Sequence, residues 1–476
     1  MKSTTTDTNL PPLQPLLADW VLELVAQSEQ LSDALARWGS PLHVHDPRQL
    51  TENAATFHTS FADAGVSGLV CYARKANRCR AVVAQAIKDG EWIDVASLDE
   101  ARETLALGAQ PSQVICTAAT KSSQLLSFCA EHGVMLVLDN FDELEALREL
   151  VAGRTTPLPV AVRLSCFPGL GKNAQSRFGF PLAQLPQAME SLAPLQGTAL
   201  SVVGFQFHLD GYEISERARA LDTALDLVEH YRPRGFPLNY IDIGGGMTVC
   251  YLKDKGQWES FLEQLRDAVA GLRSPITFGN DGLGYSLVQG RVEGAPKLYP
   301  FWNAAPKGEF LRGVLASESA RGGTLASRIR AHNLTIMVEP GRALLDQVGV
   351  TAAAVSHVKA GANGEAFVVL EMNATQIRSV SLDMCLDPIH IPSAANTRPA
   401  TPCSVFLCGN SCMESDVILK RQISLQRMPQ RGDLFVFANT AGYHMHLFEN
   451  SGHSFSLPRN VVRTPAGRLV LDSVPE

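Results

Sequence analysis

From about residue 68 the chain alternates short apolar, β-branched runs with segments of helical period. The runs are GLVCYARK (68–75), WIDVAS (92–97), QVICTA (113–118), VMLVLD (134–139), PVAVRLS (159–165), SVVGFQF (201–207), NYIDIGGG (239–246) and TIMVEPG (335–341). Most lack the apolar/polar alternation of a half-exposed strand, which suits strands covered on both faces. Helices are predicted between most of them. Ser97 and Glu100 have capping-box spacing, and the helix they open should stop at Gly108. Asn140 is placed to cap FDELEALRELVA, with Gly153 beyond its end, and SERARALDTALDLVEHYRPRG is a longer amphipathic helix with a Pro-Arg-Gly stop. Strands alternating with helices imply a parallel sheet, and eight such units predict a (β/α)8 barrel.

The rhythm breaks twice. Between Gly246 and Glu339 lies a stretch rich in Gly, Pro and aromatics, PITFGNDGLGYSLVQGRVEGAPKLYPFWNAAPKG, the kind of long connection that often forms a lid or binding element. Beyond about residue 350 helix patterns become scarce. Runs such as AFVVLEMN, CSVFLCG, RQISLQ and DLFVFAN predict an antiparallel β domain. The segment SPLHVHD, near residue 43, is a strand ahead of the barrel and is placed to pair with that β domain. The expected organisation is an N-terminal segment 1–46, a barrel 47–349 with an insertion at about 273–316, and a β domain 350–476.

Composition narrows the function. The 476 residues are 45 % apolar and only 19 % charged, against roughly 25 % charged in ordinary globular chains. That argues for extensive buried surface and against disorder. The net charge is −7 and no basic stripe is present, so nucleic acid is not an expected partner. No run of about 18 apolar residues predicts a membrane span. The polar, Pro-rich start lacks the apolar core of a signal peptide, and ten scattered cysteines do not form a secreted disulfide framework; a cytoplasmic location is expected. Cys408-x-x-x-Cys412 and the pairs His43-Val-His45 and His444-Met-His446 lack structural-zinc spacing, so no metal is expected.

Function in a barrel sits at the C-terminal ends of its strands. Lys75 ends the first, and a lysine at a barrel mouth is a candidate covalent nucleophile, though taken alone it is more often a solvated side chain. His208 ends the sixth. Gly244-Gly245-Gly246 follows the seventh, where successive backbone N–H groups without Cβ atoms could surround a phosphate. Glu339-Pro340-Gly341-Arg342 ends the eighth and places a carboxylate and a guanidinium three residues apart. Each of these alone has an ordinary structural explanation. Their joint placement does not.

With these residues in place, the sequence resembles the fold type III pyridoxal-phosphate decarboxylases, the group of diaminopimelate, ornithine and arginine decarboxylases. The resemblance runs from about residue 40 to 470 through YARKAN (72–77), DVAS (94–97), SRFG (176–179), FHLDG (207–211), IDIGGG (241–246), EPGR (339–342), CGNSCMESD (408–416) and NTAGY (439–443). It is strongest to a bacterial branch of decarboxylase-like proteins with FHLDGY and NTAGY motifs. It implies an alanine racemase-like barrel with a C-terminal β domain, pyridoxal 5'-phosphate as cofactor, and a free amino acid as substrate. It implies further that Lys75 bonds the cofactor, that His208 stacks on its ring, and that Gly244, Gly245, Gly246, Gly341 and Arg342 cradle its phosphate. Glu339 then faces the pyridine nitrogen and keeps it protonated, so that the ring accepts electrons. Racemase relatives place an arginine at that position, so Glu339 favours decarboxylation. Asp94 and Arg163 match neighbouring positions of the same mouth, and Tyr443 matches a tyrosine that contacts the phosphate. Cys412 matches a cysteine that one subunit contributes to its partner's site, near the reacting carbon, which implies a homodimer.

The chain departs from the family where the substrate would sit. His208-Leu209-Asp210-Gly211 stands where His-x-Gly-Ser is usual, so the phosphate-binding serine is missing and Asp210 faces an anion or the substrate. The acid expected directly after the cysteine is replaced by Met413, with Glu414 one residue on. Arg378-Ser379 replaces Arg-Pro, and the 246–339 segment is longer than usual. Arg378, Glu414 and Asp210 are therefore candidate substrate contacts, and the two acids suit a substrate with a second amine. Candidate substrates include diaminopimelate, basic amino acids, D-amino acids and biosynthetic intermediates. Racemisation or β-replacement on the same scaffold, a catalytically inactive regulatory homologue, and an unrelated barrel hydrolase are the alternatives.

Overall fold

The eight apolar runs are eight parallel strands, here seen in a computed structural model that describes residues 10–171, 176–379 and 384–472. The first nine residues of the expected N-terminal segment and the last four of the expected β domain lie outside that range. The strands are Ser67–Ala73, Trp92–Val95, Val114–Cys116, Met135–Leu138, Leu158–Ser165, Leu200–Phe207, Tyr240–Asp242 and Thr335–Val338. Each pairs with its neighbours in sequence, and the eighth pairs with the first (Thr335 opposite Ser67, Val338 opposite Val70), closing the barrel. Its interior packs Cys71, Ile115, Val137, Ala161, Tyr240 and Met337. Side chains from six strands fill the middle, so chemistry is confined to the ends.

The predicted caps form. Ser97 Oγ accepts the Glu100 N–H (3.2 Å) at the start of helix Leu98–Ala106, while the Glu100 carboxylate reaches back to the Ala96 N–H (2.7 Å) instead of the cap's own. Asn140 Oδ1 accepts the Glu143 N–H (2.9 Å) at the start of Phe141–Leu150. The long helix Ile214–Tyr231 buries Arg217, Leu221, Ala224 and Val228 on one stripe.

The barrel unit comprises Leu50–Thr248 and Ala305–Leu344. The second unit comprises the described residues of Met1–Gln49, Val249–Ala304 and Leu345–Glu476. Residues 249–304 thus pack with the β sheet, where the sequence reading counted them in the barrel. The physical reason lies in hydrogen bonds between residues distant in sequence: the Leu16 N–H bonds Tyr251 O, and the Gln422 N–H bonds Ile276 O. The stretch read as one long connection carries helix Lys255–Val269 and a hairpin of Tyr285–Val288 with Arg291–Gly294.

In this second unit the sheet runs Val417–Leu425, Cys403–Cys408, Ala366–Leu370, Gly349–Ala360, Leu42–His45, Arg459–Arg463, Leu469–Leu471, with Leu434–Phe437 and Ile389–Ile391 branching from Gly349–Ala360. It is mostly antiparallel. Two pairings run parallel, Ala366–Leu370 with Cys403–Cys408 and Leu42–His45 with Arg459–Arg463. The sheet buries Val44, Val350 and Val436 against Trp20, Leu24, Leu31 and Leu35 of helices Asp19–Ala26 and Ser28–Trp38, which the sequence reading did not anticipate. The two His-x-His pairs meet here: His446 lies edge-on to His43 (5.4 Å) and stacked on His45 (6.2 Å). All ten cysteines are free, and Cys166 and Cys412 are exposed. Among the described residues no helix is long and apolar enough to cross a membrane.

One buried ion pair braces the barrel mouth. Lys121 Nζ bonds Glu143 (2.9 Å), and the same carboxylate accepts the Asp139 N–H (3.1 Å). Both side chains are almost inaccessible (0 % and 6 %), so removing one leaves the other charge stranded. Lys121→Met should cost about 3 kcal/mol or more in urea unfolding, and adding Glu143→Leu should return much of it. A double variant no more stable than Lys121→Met would contradict this account.

Candidate functional site

At the mouth of the barrel unit, Lys75 stands on the 3₁₀ turn Arg74–Ala76 that follows the first strand. Its Nζ donates to Asp94 Oδ2 at 2.6 Å, and the lysine is 40 % exposed while the aspartate is sealed. Asp94, near the end of the second strand, is held from its other oxygen by Thr117 Oγ1 (2.5 Å) and the Thr117 N–H (3.3 Å). An ammonium is thus presented to the opening by an acid that cannot turn away. Arg163, on the fifth strand, pairs with Asp139 (3.6 Å) and lies over the Phe178 ring (5.1 Å). Asp139 also accepts the Gly179 N–H (3.0 Å), so the SRFG segment and Arg163 are fixed together.

The sixth, seventh and eighth strands end against one another. Gly244 has φ +69° and Gly246 φ +88°, conformations that favour glycine. A Cβ on Gly244 would lie 2.6 Å from Phe207 O, and one on Gly245 2.5 Å from Glu339 O, so backbones fill the space a side chain would need. The Gly244 N–H donates to Asp242 Oδ1 (2.8 Å) and the Gly245 N–H to His208 Nδ1 (3.2 Å). Two of the three N–H groups expected to face a phosphate therefore serve the fold itself. The Gly246 N–H has no intramolecular acceptor among the described residues.

Because a backbone N–H can only donate, His208 Nδ1 is an acceptor and any ring proton resides on Nε2. His208 is solvent-exposed, yet protein surrounds its ring closely. Burial, then the positive charges of Arg217, Lys75 and Arg163, lower its pKa; the open face moderates this effect without reversing it. The imidazole is neutral at physiological pH.

Behind these residues sits a cluster of buried acids. Glu339 accepts from Gln206 Nε2 (3.3 Å). Burial, then the charge of Asp94, raise its pKa, while Lys75 and Arg163 oppose the rise. Asp242 is raised well above the carboxylate range by burial and by Glu339, so it is the member of the pair that retains a proton. Asp242, Gln206, Thr117 and Phe178 were not singled out from the sequence. A polar residue within an otherwise apolar strand run was the available sign for Asp242 and Gln206. Gly341 is buried, Arg342 half-buried and Asp210 exposed.

The remaining candidates belong to the β unit. Cys412 and Glu414 line a cavity of about 440 Å³ with Phe278, His357, Lys359 and Phe367. Cys412 Sγ lies 3.1 Å from His453 Nε2, a neighbour the sequence reading missed. Arg378 is exposed with its guanidinium over the Phe448 ring (5.9 Å), and Tyr443 has a left-handed φ of +71° in a tight turn. Among the described residues no group of three or more His, Cys, Asp or Glu could hold a metal ion.

Residues 48–277 match the family profile described as "Pyridoxal-dependent decarboxylase, pyridoxal binding domain". The uncharacterized protein y4yA of Sinorhizobium fredii is 29 % identical over 98 % of this chain and 97 % of its own. The diaminopimelate decarboxylase of Staphylococcus aureus is 22 % identical over 90 % of each chain. In three dimensions the chain resembles the M. jannaschii diaminopimelate decarboxylase in complex with L-lysine, with TM-score 0.68, 19 % identity, and coverage of 93 % of this chain and 91 % of that one. At that identity the likeness speaks for the fold.

The His208 environment gives a pH test. A folded-state pKa below that of the unfolded chain means the unfolded state gains the proton first on acidification. Wild-type protein should therefore lose stability relative to His208→Gln as pH falls from about 7.5 to about 5, spanning the ordinary histidine pKa. Parallel stability curves would show an imidazole that titrates as in water.

Proposed function

Because this chain belongs to the fold type III pyridoxal-phosphate-dependent decarboxylases, a family whose cofactor is pyridoxal 5'-phosphate, we propose that it removes CO2 from a free amino acid. The observation that carries the reading is the meeting of Lys75–Asp94, neutral His208, the glycine turn and buried Glu339 at one barrel mouth. The mouth suits the cofactor on its own geometry. The Gly246 N–H has no acceptor among the described residues and is open to an anion, and Glu339 is a buried acid with a raised pKa that a protonated pyridine would stabilise in its charged form.

When bound, the cofactor supplies an electron sink for the bond to the departing carboxylate. The chain's own residues do the rest. Lys75 Nζ would hold the cofactor covalently, and Asp94 Oδ2, bonded to that nitrogen, would take up and return its protons. The neutral imidazole of His208 offers an uncharged flat surface for the ring. Glu339 would accept a hydrogen bond from the ring nitrogen and keep it protonated. Arg163 and Arg342 contribute positive charge near the bound anion. Cys412, on the β unit, delivers a proton to the carbon left by CO2, and we place it in the partner's site of a homodimer, with Tyr443 nearby at the phosphate. Arg378, Asp210 and Glu414 contact the substrate, and the two acids favour an amino acid with a second amine, as the diaminopimelate decarboxylase relatives suggest.

Purified protein supplied with pyridoxal 5'-phosphate should release CO2 from at least one member of a panel of L- and D-amino acids that includes diaminopimelate, lysine, ornithine and arginine. Lys75→Ala should abolish both turnover and the visible absorbance of covalently held cofactor. Retained absorbance in that variant would remove Lys75 from its role. Mixing inactive Lys75→Ala with inactive Cys412→Ala protein should restore part of the activity, since a mixed dimer holds one intact site. No restoration, with subunit exchange shown by mass, would place Cys412 in its own subunit's site or outside any site.

A further inference from the structure

Arg217 lies on the buried stripe of helix Ile214–Tyr231, with only 1 % of its surface accessible. Its Nη1 donates to Ile243 O (2.5 Å), and its guanidinium lies 5.8 Å from the Phe310 ring. Its Nε has no partner. Among the described residues no carboxylate comes within ion-pair distance; Asp242 and Glu339 act on it only through space. Burial lowers its pKa to about 10, which leaves it charged at neutral pH. An unpaired charge sealed from water is among the most costly features a fold can hold. A fold that keeps such a charge calls for an anionic partner.

The place where that anion belongs is marked by Gly246. A Cβ there would lie 2.9 Å from Arg217 Nη2 and 3.4 Å from Gly211 O, so the bare glycine makes room for the guanidinium. Gly246 also carries the one N–H of the glycine turn without an internal acceptor. Gly211 closes the segment His208-Leu209-Asp210-Gly211, where the family's phosphate-binding serine is absent. Thus a free backbone donor, a buried cation and the altered loop coincide.

We infer that Arg217 adds a buried cationic charge to the phosphate site in this chain and takes over from the missing serine. It acts at or directly behind the glycine turn, with the Gly246 N–H as the accompanying donor. The inference rests on the cofactor reading above and adds a residue to it. A buried guanidinium holds phosphate more strongly than a neutral hydroxyl does, because charge-assisted hydrogen bonds are the stronger class. It also offsets Asp210 and the buried acids, which would otherwise repel a dianion. The bland alternative is a strut: Arg217 merely ties its helix to Ile243 O.

The two are separated by comparing pyridoxal 5'-phosphate with pyridoxal, which lacks the phosphate, in binding titrations of the full chain stripped of cofactor. Wild type should prefer the phosphorylated form. In Arg217→Gln that preference should fall by about 10- to 100-fold, the scale of a charge-assisted contact, while pyridoxal affinity changes by less than about 3-fold. Arg217→Lys, which keeps the charge, should retain most of the preference. An unchanged preference in Arg217→Gln, an equal loss of both ligands, or a folded lysine variant with no preference would each overturn the inference. If Arg217→Gln does not fold, the lysine variant alone decides. If wild type takes up neither ligand, the cofactor reading fails separately, and inorganic phosphate becomes the probe. Thermal protection by phosphate in wild type but not in Arg217→Gln keeps the anion site; equal responses discard it.

Discussion

Three backbones converge at Gly244–Gly246, and the rest of the mouth depends on how tightly they do so. The ends of the sixth and eighth strands approach to where a single Cβ would be 2.5 to 2.6 Å from a carbonyl oxygen. That crowding sets the position of His208, which accepts from Gly245, and of Glu339, whose own N–H bonds Gly244 O (3.0 Å). The two groups proposed to meet the face and the nitrogen of one ring are thereby referenced to the same turn. A barrel places functional groups on separate strands, so their mutual distance is only as exact as the contacts between strand ends. Here those contacts are backbone to backbone, which no rotamer change can loosen.

The electrostatics follow from the same closeness. Asp94, Asp242 and Glu339 are all buried, and three carboxylates cannot all stay ionised at such spacing without cations. Lys75 answers Asp94 by direct contact, and Asp242 keeps its proton. Glu339 shares that proton through its hydrogen bond with Asp242 and accepts from the neutral amide of Gln206, while Lys75 and Arg163 act on it through space. Arg217 is the mirror case, a cation with no carboxylate in ion-pair contact among the described residues. A cofactor with a protonated ring nitrogen at one end and a phosphate at the other would balance both, and neither imbalance makes sense as packing alone.

What the sequence disclosed and what it withheld divide along physical lines. Strand runs, Ser97 and Asn140 caps and the barrel order were legible because local periodicity and capping chemistry decide them. Lys75, His208, the glycine turn and Glu339 were legible because all end strands. The parallel pairings of the β unit were not, since register between distant strands leaves no local trace. Helices Asp19–Ala26 and Ser28–Trp38 were overlooked although their apolar spacing was present. Residues 249–304 were assigned to the barrel because they lie between barrel strands in sequence, yet long-range hydrogen bonds place them elsewhere. Arg217 occupies an apolar stripe position, four residues before Leu221 and seven before Ala224. An arginine there could have been noticed, but its significance comes from a glycine 29 residues away that only the fold brings near.

The departures from the family also sort by location. Lys75, Asp94, Glu339 and the glycine turn sit at strand ends, where neighbouring backbone constrains them, and they keep the family pattern. Asp210, Arg378 and Glu414 are exposed and sit outside regular elements, where substitution disturbs little beyond the residue itself. A scaffold built this way can hold its barrel-mouth groups fixed while the groups proposed to read the substrate change. The missing serine is the exception, since it belongs to the cofactor-binding half and its loss needs an answer in the same half. The buried arginine proposed on the following helix would be such an answer, and would leave position 210 at liberty to be acidic.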